Sequence, residues 1–199
     1  MGLTPVPGDQ LATVVTSLEM TGKPPLRPLP DSHLRLVEWN RPAPDRYRTL
    51  FRRIGEPWLW FSRLVMDDER LIGTIHDPDV SIFAAADPRG IEVGMLELDF
   101  REPNQCELSF LGLVPELAGQ GHGKWLMAQA LQRAWRPGVE RVWVHTCTLD
   151  HPAALGFYRR HGFVAYKRTV ETFADPRLAG VLPLEAAPQI PCLGTSSRR

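Results

Sequence analysis

The chain has 199 residues, 43% of them hydrophobic and 23% charged, with 23 Lys+Arg balanced by 23 Asp+Glu. That length and composition suit one compact α/β domain with a sizeable core. Zero net charge argues against nucleic acid as the main partner, which would favour a basic domain or patch. The N-terminus lacks a basic stretch leading into an apolar run, and no apolar run nears the roughly 20 residues needed to cross a bilayer. Met1-Gly2 is not followed by Ser or Thr at position 6, where Val6 stands, so the myristoylation pattern is unmet. A cytoplasmic protein with no membrane partner is expected.

In chain order, residues 11–20 form an apolar strand, followed by a connector that Pro24, Pro25, Pro28 and Pro30 keep extended. Residues 45–54 and 62–75 carry helical spacing, the second with Leu64, Val65, Leu71 and Ile72 on or near one face. Arg46, Arg48, Arg52 and Arg53 read as the solvated face of the first helix. Between the two helices, Trp58-Leu59-Trp60-Phe61 reads as core, with the wall of an acceptor pocket as the alternative. Residues 79–86 and 91–100 are strands joined by the turn Asp87-Pro88-Arg89-Gly90. Next come a strand at 106–114, a helix at 123–135, a strand at 141–147, a short helix opening near Asp150 and a strand at 163–172. A single domain is expected over 1–178 and an irregular, loosely attached tail over 179–199.

Cys106, Cys147 and Cys192 are widely spaced with no C-x-x-C pair, so they read as reduced thiols, the first two buried in strands. His33, His76, His122, His145, His151 and His161 form neither H-E-x-x-H nor a Cys/His ligand box, and no metal site is expected.

The richest segment is CELSFLGLVPELAGQGHGK, residues 106–124. A strand delivers a loop holding Gly119, Gly121 and Gly123 to a helix N-terminus, where backbone N–H groups and the helix dipole favour a phosphate. Glycine lets such a loop take unusual dihedrals and lets an anion approach bare backbone. A Walker loop fails at both ends, because Ala118 precedes Gly119 and Trp125 follows Lys124. A dinucleotide fingerprint fails where Lys124 replaces its third glycine.

What remains, G-x-G-x-G after Val114-Pro115, resembles the acyl-CoA pyrophosphate loop of the GNAT N-acetyltransferase superfamily. A second segment, DHPAALGFYRRHGF at 150–163, resembles that superfamily's N-x-x-A-x-x-x-Y-x-x-x-G-F signature, with His151 at the asparagine, Ala154, Tyr158, and Gly162-Phe163 at the helix exit. Physically, Asp150 can cap this helix, Pro152 can sit in its first turn and Gly162 can end it. Ala118 departs from the Gln or Arg that usually opens the pyrophosphate loop.

The resemblance, spanning about 107–173, implies a GNAT fold: a central, mostly antiparallel mixed sheet flanked by helices, splayed between the fourth and fifth strands (106–114 and 141–147). It implies acetyl-CoA as co-substrate, held by Leu113, Val114, Gly119, Gln120, Gly121, His122, Gly123, Lys124, His151, Ala154, Phe157 and Tyr158. The side chains of His122 and Lys124 are candidates to add charge or hydrogen bonds to phosphate, and for Lys124 a solvated lysine is the equal alternative. It implies direct acetyl transfer to a primary amine of a small molecule or peptide, with a silent acyl-CoA sensor or scaffold as the alternative. A homodimer is compatible with it.

An alkylammonium has a pKa of roughly 10, so a carboxylate must assist its deprotonation near neutral pH. Glu107, on the strand feeding the loop, stands where several protein-acetylating members carry a catalytic glutamate, and Glu97 or Asp99 is the alternative. Tyr158 is placed by the resemblance to protonate the leaving sulfur.

Overall fold

The computed structural model describes residues 2–25 and 28–195; Met1 and residues 196–199 of the expected tail lie outside them. Strands β1 (Gln10–Met20), β2 (Arg35–Glu38), β3 (Val80–Ala86), β4 (Glu92–Asp99), β5 (Gln105–Leu113), β6 (Arg141–Cys147) and β7 (Val164–Ala174) form one sheet in the order β2-β3-β4-β5-β6-β1-β7. Every neighbouring pair is antiparallel except β5 with β6. The expected mixed, mostly antiparallel GNAT sheet is thus present. β1 inserts between β6 and β7. The short β2, flanked by proline-rich chain, is too brief to show a period and was not expected.

Helix α1 (Pro44–Gly55) starts with proline at its first turn, where a missing N–H costs nothing, and carries Asp45 early and Arg52 and Arg53 late, matching the helix dipole. Its buried Tyr47, Leu50, Phe51 and Ile54 recur at helical spacing. They meet the sheet face bearing Glu97 and Gly112, since Tyr47 bonds Glu97 and a side chain at Gly112 would strike Ile54. Two of the four arginines are paired through their side chains, Arg46 with Glu92 and Arg48 with Asp68, and Arg53 donates to the Glu92 carbonyl. The face expected to be merely solvated therefore ties α1 to its neighbours.

Helix α2 (Asp68–Ile75) is shorter than the spacing implied. Asp67 accepts from the Arg70 N–H at 2.8 Å and fixes the start, leaving residues 62–67 as a turn with Val65 exposed. Helix α3 (His122–Ala134) covers the opposite face, where Arg133 lies over Phe83, the cross-strand partner of Leu96. Helix α4 (Ala154–Arg160) follows β6.

Residues 176–195 hold no strand or α-helix, but they are not loose. Leu182, Ala186 and Ala187 are buried with Leu59. Buried Arg177, paired with Asp175, donates to the carbonyls of Ala186 and Ile190. Isolated apolar residues pinned by one arginine leave no period to read.

Candidate active site

β5 and β6 pair only at Gln105–Arg141, Cys106–Val142 and Glu107–Trp143, and then part. Two features separate them. β5 carries a bulge, Glu97 opposing Phe110 while Leu98 opposes Leu108, which bends the strand. β6 follows β1, with which it pairs from Met20–Val142 to Val15–Cys147. The gap is the splay expected between these two strands. It opens a cleft of about 860 Å³ running from Leu113, Val114, Gly119 and Gly123, past Tyr158, Glu107 and His145, to Trp58, Phe61, Arg63 and Phe173.

At the glycine end, Gly119 and Gly121 have φ of 76° and 86°, the left-handed region that β-carbons disfavour. The N–H groups of Gly119, Gly121, His122 and Gly123 find no hydrogen-bond partner among the described residues. Nothing lies within 4 Å of where a side chain at Gly119 or Gly121 would begin. Four unpaired donors at the head of a 13-residue helix form an anion cradle. Gly123 is already helical, and a β-carbon there would point at Phe157, 3.7 Å away on the cleft wall.

The side chains around the cradle divide. Lys124 is exposed, and Gln120 donates to the Glu116 carbonyl. The His122 ring is buried away from the cleft, 2.9 Å from the Ser32 hydroxyl and edge-on to His33, and burial holds its pKa below the usual value. His122 therefore offers the cradle its N–H and not a cationic ring. These residues fit a pyrophosphate through backbone, and Ala118 removes little from such a site.

The α4 helix supplies the next wall through Ala154, Phe157 and Tyr158. Asp150 does not cap it as expected: the N-cap is Ala153, and Pro152 precedes the helix. Asp150 accepts instead from Thr146 Oγ1 (2.7 Å), Cys147 N (2.9 Å) and Trp60 Nε1 (3.1 Å), clamping the β6–α4 turn to the aromatic segment. His151 Nδ1 accepts from Ala153 N, which orders the approach to the helix, while its ring rests on Trp58. Gly162, at φ 97°, ends α4 with Gly162 N and Phe163 N bonded back to Arg159 and Tyr158 carbonyls, as the sequence implies. Tyr158 is 8% exposed, and burial, reinforced by the charge of Asp150, pushes its phenol well above the ordinary value. A phenol so held keeps its proton at neutral pH and can donate it.

Glu107 sits at the last paired position before the splay, on the cleft wall. Its Oε1 lies 3.3 Å from Nδ1 of His145, a residue with no local motif to mark it for chemistry. Glu97, the alternative base, is fully buried between the Tyr47 hydroxyl and Arg63, both at 2.5 Å, and Asp99 is held by Arg101. Among these three carboxylates only Glu107 is both on the cleft wall and outside an arginine pair.

The far end is aromatic. Trp58, Trp60 and Phe61 all line the cleft, Trp60 also packing on Phe51 and Phe110 of the core and Phe61 lying against Phe173 of β7. Leu59 is buried and Trp60 packs on the core while both also border the cleft, so this segment is core and cleft wall at once. Arg63, Phe173, Glu171 and His145 also line the cleft and had no local signal. Cys147 lines it too, its thiol pushed up by burial, and Cys106 is wholly buried. Among the described residues no cluster of three or more His, Cys, Asp or Glu is placed to hold a metal, and no helix is long and apolar enough to cross a membrane.

The family model of the acetyltransferase (GNAT) family matches residues 30–163, more than half of the chain. The chain belongs to the GNAT acetyltransferase family. No curated protein matches it. Among solved structures, this GNAT chain resembles a GCN5-related N-acetyltransferase from Sphaerobacter thermophilus (18% identity, TM-score 0.59), covering 82% of this chain and 51% of that one. It also resembles a functionally unknown conserved protein from Staphylococcus epidermidis (14%, TM-score 0.55), over 83% and 63%. A third likeness is to an aminoglycoside acetyltransferase from an uncultured soil metagenomic sample, in complex with sisomicin (21%, TM-score 0.56), over 70% and 93%. The GNAT chain thus spans about half to two thirds of the first two, and at these identities the likeness shows fold alone. β1 lies outside the residues matched by the family model, although it supplies the strand beside β6.

Proposed function

We propose that this chain is an N-acetyltransferase moving an acetyl group from acetyl-CoA directly to a primary amine. The observation that carries the reading is the cradle of four unpaired N–H groups opening into a cleft that holds Glu107 and Tyr158. Bound acetyl-CoA supplies the activated acetyl thioester. Gly119, Gly121, His122 and Gly123 bind its pyrophosphate through backbone, with Gln120 and Lys124 at the rim. Leu113, Val114, His151, Ala154 and Phe157 line its path through the splay. Holding both reactants in near-attack geometry is worth roughly 7–11 kcal/mol. Glu107 assists removal of the acceptor's proton, and Tyr158 presents its phenol where the thiolate departs.

The acceptor is a cationic amine with an apolar body. Asp99, Glu107, Asp150 and Glu171 line the cleft against Arg63 and Arg101, and both arginines are already paired, with Glu97 and Asp99. Glu107, Asp150 and Glu171, which have no arginine partner among the described residues, therefore present net negative charge to the acceptor, between the rings of Trp58, Phe61 and Phe173. A homodimer and a cytoplasmic location belong to the same proposal.

Thiol release from acetyl-CoA, measured across a panel of amines, tests the reading. Release is expected only with an amine present, and faster with cationic, apolar amines than with amino acids bearing a free carboxylate. CoA binding without amine-dependent release would instead identify a silent acyl-CoA sensor or scaffold.

A further inference from the structure

Glu107 and His145 come together because of the one parallel pair in the sheet. Glu107 is level with Trp143, and His145 lies two residues beyond Trp143, so period-2 alternation puts the Glu107 and His145 side chains on one face just past the point of parting. Oε1 of Glu107 is 3.3 Å from Nδ1 of His145. The His145 side chain is half exposed and borders the cleft, whereas Glu107 retains 21% exposure. Of the two neutral tautomers, the one with its hydrogen on Nδ1 sets that hydrogen beside the carboxylate and leaves Nε2 its lone pair.

The geometry points to His145 as the group that takes the acceptor's proton, with Glu107 as the positioning residue that fixes its tautomer and supports its cation. This rests on the acetyltransferase reading and changes the route of the proton within it. The N–H bond of the acceptor ammonium breaks, an Nε2–H bond forms, and a neutral amine faces an imidazolium beside the Glu107 carboxylate. The imidazolium returns the proton to water at its exposed edge, so no other reactant is needed. Catalytic contact with the acceptor is thereby assigned to His145.

The charges facing His145 agree. Its pKa is raised, first by the bond to Glu107 on β5 against the opposing effect of burial, then by the charges of Glu107, Asp150 in the β6–α4 turn and Glu171 on β7. Across β1, Ser17 is level with both His145 and Lys167 of β7, which places that cation two strands away. A base must be neutral to act, so activity increases as pH rises through this raised value, above the ordinary histidine value of about 6.5.

Two measurements on the full chain decide the matter. First, imidazole nitrogen NMR of His145 is expected to show the Nδ1–H tautomer when neutral, and Glu107→Gln is expected to lower its titration midpoint. A midpoint that Glu107→Gln leaves unmoved overturns the proposal without reference to any activity. Second, with an amine that supports thiol release, His145→Ala should reduce kcat/KM at pH 7 by about 10²–10⁴-fold, the loss shrinking as pH approaches the acceptor's own pKa. Glu107→Gln should move the ascending limb of the pH profile toward acid. If Glu107 were itself the base, that limb would move toward alkali and His145→Ala would turn over like wild type, which would sink the assignment. Should the wild-type chain acetylate no amine at all, the acetyltransferase reading falls, and the role of His145 with it, whatever the NMR shows.

Discussion

Gly121 and Gly123 lie two residues apart in one loop, yet alanine at each should act oppositely on the ligand-free protein. Gly121 has φ 86° and open space around its missing side chain, so Gly121→Ala meets backbone strain alone. A left-handed non-glycine residue costs roughly 1–2 kcal/mol. For a domain of this size each kcal/mol shifts Tm by about 2–4 °C, so a fall of about 2–8 °C is expected. Gly123 is helical, and its new methyl would meet Phe157 at an ordinary 3.7 Å. Gly123→Ala should therefore stabilise the free protein by about 0.5–1 kcal/mol, raising Tm by about 1–4 °C. The same methyl would stand on the cleft wall, beside the N–H groups proposed to hold the pyrophosphate. Losing one charge-assisted hydrogen bond costs about 1.5–3 kcal/mol, so CoA affinity should fall tenfold or more. At a CoA concentration 100 times the wild-type Kd, ligand adds roughly 2.7 kcal/mol to wild type; after a tenfold loss about half of that remains. Thermal unfolding with and without CoA, checked by calorimetry, reads both effects. A Gly123→Ala protein that is more stable and keeps the full CoA-induced shift would show that the glycine loop is not the cradle.

Three further outcomes follow from other parts of the chain. Tyr158→Phe keeps the ring and its packing, so turnover should fall by about 10²–10⁴-fold with CoA affinity little changed; full activity would end its role as acid. Glu97→Ala leaves Arg63 buried without its carboxylate and the Tyr47 hydroxyl unpartnered, and urea unfolding should report a loss of about 3–5 kcal/mol. A loss below about 1 kcal/mol would mean that water readily replaces the carboxylate. Leu182→Ala opens the small cluster beneath Leu59 and should cost about 2–5 kcal/mol, whereas a loose tail would register no change in Tm.

The sequence made the strands and the glycine loop legible for a physical reason: both are local. A strand-loop-glycine-helix run displays its chemistry within twenty residues, and the strands β3 to β6 announce themselves by composition and turns. What depends on register does not announce itself. His145 meets Glu107 only because β5 and β6 run parallel for three residue pairs, and nothing near either residue encodes that pairing. Asp150 looks like a helix cap because a short helix follows, but three donors from β6 and Trp60 claim it first. Residues 62–67 carry helical spacing that the Asp67 cap overrides. β1 is clear as a strand, while its place between β6 and β7 is a matter of topology. Glu97 and Asp99 are alternative bases in sequence, and their arginine partners, Arg63 and Arg101 respectively, separate them from Glu107.

The most direct test follows the acetyl group itself. Acetyl-CoA carrying an isotopically labelled acetyl group is incubated with the protein and a cationic amine, and the products are weighed by mass spectrometry. One labelled amide is expected for each CoA released, with none when the amine is withheld. Tight CoA binding without labelled amide, or label found only in free acetate, would rule out acetyl transfer to the amine.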